Sequence, residues 1–211
     1  MYARAPGAML VVAVTAIIFL FLLHRALNRL HLGKREALLL IAFMLIGGYL
    51  PSIPLGGGLA VNIGGMVIPL GIAVYLIIKA PTLEQKIRGP ITAIVVAAAV
   101  WSLDRLLPIN PGSAGYELDP LYLPAAAAGV VAYLTGRSRR AAYIGGVIGV
   151  ALLDLSSWAE NMVRGFRNIP VFLGGAGVFD AALIAGVFGV MLAELVGEIR
   201  ERIGGGPKEE I

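Results

Sequence analysis

Pro6-Gly-Ala-Met-Leu-Val-Val-Ala-Val-Thr-Ala-Ile-Ile-Phe-Leu-Phe-Leu-Leu23 carries no ionisable side chain, and the stretch after it holds His24, Arg25, Arg29, His31, Lys34 and Arg35. Eighteen such residues make a helix of about 27 Å, close to the ~30 Å hydrocarbon thickness of a bilayer. A secretory signal peptide has its positive charge in front of the apolar run. Here Met1 to Pro6 holds one arginine and the basic cluster follows the run, so the run is read as a membrane helix whose far end faces the cytoplasm.

The rest of the chain repeats this pattern. Further apolar runs occupy Ala37 to Leu50, Ala60 to Ile78, Pro90 to Leu107, Leu121 to Thr135, Ala141 to Trp158 and Pro170 to Gly197. Hydrophobic residues make up 58% of the 211 positions and charged residues 14%, against about 25% charged in a soluble domain. With seven runs crossing alternately, one side collects Arg25, Arg29, Lys34, Arg35, Lys79, Lys86, Arg88, Arg137, Arg139, Arg140, Arg200, Arg202 and Lys208. The other side has only Arg4, Arg105, Arg164 and Arg167. Short cytoplasmic loops carry the Lys/Arg excess, so the expected product is a multi-pass protein of the cell membrane, N-terminus outside and C-terminus cytoplasmic. Residues 1–203 form one polytopic domain, and residues 204–211 read as a disordered cytoplasmic tail.

Two runs are interrupted. Ala37 to Leu50 and Met66 to Lys79 are 14 residues each, about 21 Å as helix. Between them Leu50-Pro-Ser-Ile-Pro-Leu-Gly-Gly-Gly-Leu-Ala-Val-Asn-Ile-Gly-Gly65 is uncharged and rich in helix breakers. Irregular backbone at membrane depth is tolerated where it is buried in protein or lines a wet cavity. Leu173-Gly-Gly-Ala-Gly-Val-Phe-Asp180 interrupts the last run in the same way. The expected fold is therefore an all-α integral membrane protein of about seven transmembrane helices, two of them broken or preceded by re-entrant backbone near the outer face. Close packing through small residues is the plainer reading of both glycine motifs.

Gly71-Ile-Ala-Val-Tyr-Leu76 matches Gly129-Val-Val-Ala-Tyr-Leu134, and the run after each carries an aspartate, Asp104 or Asp154. A parallel internal repeat is one reading of this, and chance similarity of apolar sequence the other. Ionisable groups inside apolar runs are costly and mark functional positions. Asp154 and Asp180 sit on successive antiparallel runs at similar expected depth, so they are expected to line one polar cavity and to titrate as a coupled pair. Asp104 reads as a partner of neighbouring Arg105 at the interface. Asp180 also suits a helix N-terminus, where the dipole favours an anion.

Ser157 and Glu160 have capping-box spacing, which predicts a separate interfacial helix over residues 158–166 roofing that cavity. Glu194 is expected to be solvated with Glu198 and Arg200 near the cytoplasmic end. The two histidines fall in a basic connecting loop, and there is no cysteine, which leaves no thiolate site and no metal site. Gly56-Gly-Gly58 lacks the Gly-Lys-Ser/Thr of a phosphate loop. No cofactor is implied, and the dispersed basic residues do not suggest nucleic acid.

Through Val61-Asn-Ile-Gly-Gly-Met-Val-Ile-Pro69 and Leu173-Gly-Gly-Ala-Gly-Val-Phe-Asp180 the chain resembles a prokaryotic membrane family known only as domain of unknown function 1614. That resemblance lends no activity, but it points to Asn62, the paired glycines and Asp180. Leu153-Asp-Leu155 and Gly175-Ala-Gly-Val-Phe-Asp180 also look like the two-aspartate order of presenilin-type intramembrane aspartyl proteases. They depart from it in the two residues between Gly177 and Asp180 and in lacking Pro-Ala-Leu. The leading expectation is a transporter or ion-coupled carrier with an outward-facing acidic site built from Asp154, Asp180, Asn62, Gly64, Gly65, Gly174, Gly175 and Asp104. Its ligand would be a proton, a cation or a small polar solute. An aspartyl protease using Asp154 and Asp180, and a structural or assembly role, stand as alternatives. The lipid bilayer is the expected partner, and an oligomer is compatible with the sequence.

Overall fold

The computed structural model describes residues 6–30, 32–106, 122–166 and 169–203. Seven α-helices account for most of them: α1 (Pro6–Arg29), α2 (Lys34–Tyr49), α3 (Ile68–Ile78), α4 (Leu83–Leu106), α5 (Tyr122–Gly136), α6 (Arg139–Val163) and α7 (Ala181–Ile203). Four are long and apolar enough to cross a membrane, over Leu10–Arg29, Leu83–Leu106, Arg139–Val163 and Ala181–Ile203. The others are shorter, and the segment between α2 and α3 holds ordered strands and a helical turn.

Local chemistry fixes the helix starts. Gly33 N–H donates to Glu36 Oε2 (3.0 Å) at the head of α2. Pro69 stands in the first turn of α3, where its missing N–H costs nothing. Ser138 Oγ accepts from Ala141 N (3.1 Å) to cap α6.

α6 lies at the centre, packed along α4, α7 and α5. Its glycines allow this approach. Gly145 and Gly149 face Thr92 and Val96 of α4, while Gly146 lies against the backbone of Ala185 and Gly186 on α7. Membrane helices associate through small residues that let backbones come close. One apolar core joins Leu23, Leu27, Met44, Leu76, Tyr143, Leu183 and Val187, from α1, α2, α3, α6 and α7. A second joins Val96, Ala128, Val150, Ala182 and Ala185 across α4 to α7. α1 presents Leu10, Val11, Val12, Ile17, Ile18 and Phe21 outward, each more than half exposed. An apolar surface of that extent is compatible with a bilayer and unfavourable in water.

The stretch expected to be irregular between α2 and α3 is ordered as a β-hairpin, β1 (Ile53–Gly56) and β2 (Leu59–Val61). Gly56, Gly57 and Gly58 make its turn with φ of 96°, 60° and 79°, a region glycine enters without steric cost. β3 (Val171–Leu173) pairs in parallel with β2, matching Leu59 with Val171 and Val61 with Leu173. A three-stranded sheet in the order β1-β2-β3 thus joins the two interrupted segments.

Other expectations are corrected. α6 runs unbroken to Val163, so no separate helix covers 158–166. Ser156 Oγ and Ser157 Oγ donate back to Leu153 O (2.7 and 3.1 Å), keeping both serines inside the helical pattern instead of capping a new one. Glu160 binds Arg105 (2.6 Å) and Trp101 Nε1 (2.9 Å). Arg105 therefore pairs across helices with Glu160, not with the neighbouring Asp104 as expected. Glu194 is buried, held by Arg25 (2.8 Å) and Arg29 (2.7 Å) of α1. His24 belongs to α1, not to a loop. Gly71 meets open space whereas Gly129 packs on Phe188 and Ala185, so the matching segments sit in unlike surroundings and the repeat gains no support. His31, the 108–120 connection, Arg167 and the 204–211 tail lie outside the described residues.

Candidate functional site

The two interruptions meet. The first is a π-helical turn over Ile63–Val67 ahead of α3, in which Met66 N and Val67 N both donate to Asn62 O (3.1 and 3.2 Å). Asn62, 3% exposed, closes it. Its Oδ1 accepts from Gly65 N (2.9 Å), and its Nδ2 donates to Gly48 O and Leu50 O (3.3 and 3.4 Å). One amide thereby serves the free N–H groups at the head of one helix and the free carbonyls at the tail of another, the groups a helix cannot satisfy by itself.

The second interruption is β3, a turn, and a 3₁₀ turn over Gly177–Phe179 that ends at Asp180. Gly174 and Gly177 have φ of 73° and 61°. Asp180 has extended backbone angles and is the N-cap of α7. Its Oδ1 accepts from Ala182 N (3.0 Å), its Oδ2 from Ala176 N (3.3 Å), and its carbonyl from Ile184 N (3.0 Å). No regular helix covers Gly174 to Gly177, and α7 begins directly after Asp180.

Glycine makes the junction. A methyl group on Gly64 would collide with Met44 O and Gly48 N of α2, and one on Gly65 with Gly174 O. A methyl group on Gly174 would come within 2.5 Å of Gly65 C and 2.6 Å of Met66 N. The backbones of α2, the π-helical turn and the 3₁₀ turn are therefore in direct contact, with no side chain between them. Gly47 and Gly48 complete the junction from α2, with Gly48 lying against Gly177. They carry the same paired-glycine signal as Gly64-Gly65, obscured in the sequence by its place at the end of an otherwise regular apolar run.

The structure sorts the candidate residues. Asn62, Gly64, Gly65 and Gly174 come together, and Asp180 sits at the edge of their junction. Gly175 is exposed and turns toward Phe172 of its own loop. Asp104 is exposed in the last turns of α4. Asp154, on α6, is partly buried and within electrostatic reach of the Asp180 carboxylate. Among the described residues no hydrogen bond engages its side chain. Trp158, one helical turn beyond it, donates Nε1–H to Gly57 O (2.7 Å) and so fastens the hairpin to α6.

What the arrangement offers chemically is asymmetric. Asp180 is committed, both oxygens taken by backbone amides. Asp154 has no such commitment among the described residues. The turns that lead into α3 and α7 touch through Gly65, Gly174 and Gly177, and a helix N-terminus carries partial positive charge. Among the described residues no three His, Cys, Asp or Glu side chains cluster as a metal site would require.

The family described as protein of unknown function (DUF1614) matches residues 56–192. That interval contains β2, both interruptions, Asp154 and Asp180. No curated protein and no solved structure matches the chain. The match spans well over half of the 211 residues, and the chain belongs to this family.

Proposed function

We propose that this member of the DUF1614 family is an ion-coupled membrane carrier in which Asp154 exchanges a proton or small cation beside the fixed carboxylate of Asp180. The observation that supports it is the convergence of two interrupted helices, α3 and α7, on one glycine-packed junction with an uncommitted carboxylate alongside. Carriers build their sites from such discontinuous helices, whose free ends supply partial charges to the ligand. A partly buried carboxylate that serves no cap and no ion pair costs stability, and ligand exchange gives it a use. The capping role of Asp180 favours this reading over an aspartyl protease, which needs two carboxylates able to share a proton and activate water.

The proposal includes seven crossings, in which the shorter α2, α3 with its π-helical turn, and α5 complete their spans with the strand and turn segments attached to them. The N-terminus is then outside and the C-terminus cytoplasmic. Cysteines at Ser113→Cys and Ser138→Cys should react with an impermeant thiol reagent from opposite faces, and reaction of Ser138→Cys in intact cells would reverse the assignment.

Function is tested in liposomes containing the purified full chain and a trapped pH dye. An imposed Na⁺ or K⁺ gradient should drive proton movement, Asp154→Asn should abolish it, and Glu201→Gln, on the exposed end of α7, should leave it unchanged. Equal rates for the wild type and Asp154→Asn would remove the carrier reading.

A further inference from the structure

A cavity of about 270 Å³ opens at the far end of α6, lined by Arg29, Arg88, Arg139 and Arg140 together with Gln85 and Ser138. Arg139 and Asp154 are fifteen residues apart on one helix, roughly 22 Å at 1.5 Å per residue. This cavity is therefore separate from the glycine junction and its carboxylates.

Four guanidinium groups from three helices would repel one another across a small space unless something negative lay between them. Among the described residues, carboxylates answer only half of that charge. Arg29 shares Glu194 with Arg25, and Arg88 pairs with Glu84 one turn back (3.3 Å). Among the described residues Arg139 and Arg140 have no carboxylate within ion-pair distance, and Arg140 Nη1 donates only to the neutral Gln85 Oε1 (3.3 Å). The N-termini of two helices add to the positive field. Ser138 caps α6, and Thr82 Oγ1 accepts from Gln85 N (3.3 Å) at the head of α4. Like charges, converging helix N-termini and a lined cavity are independent observations that agree in sign.

We propose that this cavity binds a phosphate group, with Arg139 and Arg140 as its principal ligands and Arg29 and Arg88 at its rim. Guanidinium forks match phosphate oxygens in pairs. The volume lies below the ~300–1,000 Å³ of pockets for drug-sized ligands, so it suits a single phosphate-bearing headgroup or a free phosphate. Under the proposed topology the cavity opens at the cytoplasmic face, where anionic phospholipids gather and basic pockets between helices take up their headgroups. The binding chemistry does not depend on the carrier reading, since the cavity and its charges stand without Asp154.

The test uses the full chain in two arms. In the first, the protein is placed in nanodiscs of phosphatidylcholine with one-fifth phosphatidylglycerol, and retained lipid is counted by native mass spectrometry after extraction. In the second, the lipid-stripped protein in neutral detergent is melted with and without inorganic phosphate, using chloride at equal ionic strength as the reference. The double variant Arg139→Gln, Arg140→Gln is compared with Arg200→Gln, Arg202→Gln at the exposed end of α7. A lysine pair at 139 and 140 serves as a folded variant that keeps the charge and loses the forks.

Retention of phosphatidylglycerol falling at least tenfold in the glutamine pair, less in the lysine pair and not at all in the α7 pair, identifies a lipid headgroup. Phosphate raising the melting temperature of the wild type but not of the glutamine pair, with unchanged lipid retention, identifies a free phosphate. Lipid retention and phosphate response equal in all four proteins would overturn the proposal.

Discussion

Replacing Gly64 by alanine adds one carbon atom at the most crowded point of the molecule. That carbon would overlap Met44 O and Gly48 N and lie 2.8 Å from Gly47 C, all backbone atoms of α2. A side chain in its place would rotate aside, but a helix backbone moves only as a body, and here α2 would have to withdraw from the π-helical turn. Withdrawal also lengthens the Asn62 hydrogen bonds to Gly48 O and Leu50 O, already 3.3 and 3.4 Å. Overpacking a core costs about 1–3 kcal/mol, and backbone on both sides of the clash puts Gly64→Ala at the top of that range, about 3 kcal/mol. Gly71, two turns away in α3, faces open space. There alanine should stabilise the helix by roughly 0.5–1 kcal/mol, the usual difference between the two residues in a helix interior. The two alanine variants should therefore differ by about 3.5–4 kcal/mol although each adds the same methyl group. Reversible unfolding in mixed micelles with increasing dodecyl sulfate, followed by circular dichroism, measures that difference. Equal stability for Gly64→Ala and Gly71→Ala would refute direct backbone contact at the junction.

Glu194→Gln removes the carboxylate shared by Arg25 and Arg29. Since both arginines are nearly half exposed and screened accordingly, the loss should be about 1–2 kcal/mol, seen as a lower melting temperature that Glu198→Gln does not reproduce. Trp158→Phe keeps an aromatic ring, smaller than the indole, and loses the 2.7 Å bond to Gly57 O. It should cost about 1 kcal/mol and speed hydrogen exchange in residues 53–61 while leaving α7 unchanged, and exchange rising equally in both would contradict the anchoring role.

The helical class was legible because it rests on long apolar runs, four of which form helices long and apolar enough to cross a membrane. The two interruptions were legible because glycine and proline act locally: Gly174 to Gly177 opens the backbone whatever surrounds it. What the sequence could not disclose was pairing at a distance. β2 and β3 have three residues each, too few for an alternating pattern, and lie more than a hundred positions apart. Arg25 and Glu194 are 169 positions apart, and depth along a helix gives no information about which neighbour faces it. The Ser157–Glu160 spacing misled for a different reason: a serine inside a helix can turn its hydroxyl back to the preceding carbonyls, and the same residues then propagate the helix they were expected to end.

The short parallel pairing of β2 with β3 has a mechanical consequence. Asn62 N–H donates to Leu173 O (2.9 Å) and Val171 N–H to Gly58 O (2.8 Å), so the backbone leading into α3 is bonded to the backbone leading into α7. A sliding motion of one along its axis would drag the other or break the register, and a slip of one residue would turn every strand side chain to the opposite face. The two helices are geared together at their heads. Under the proposed carrier reading, α3 and α7 would move as one pair against α4, α5 and α6, and the Trp158 bond to Gly57 O would have to break for the hairpin to follow them.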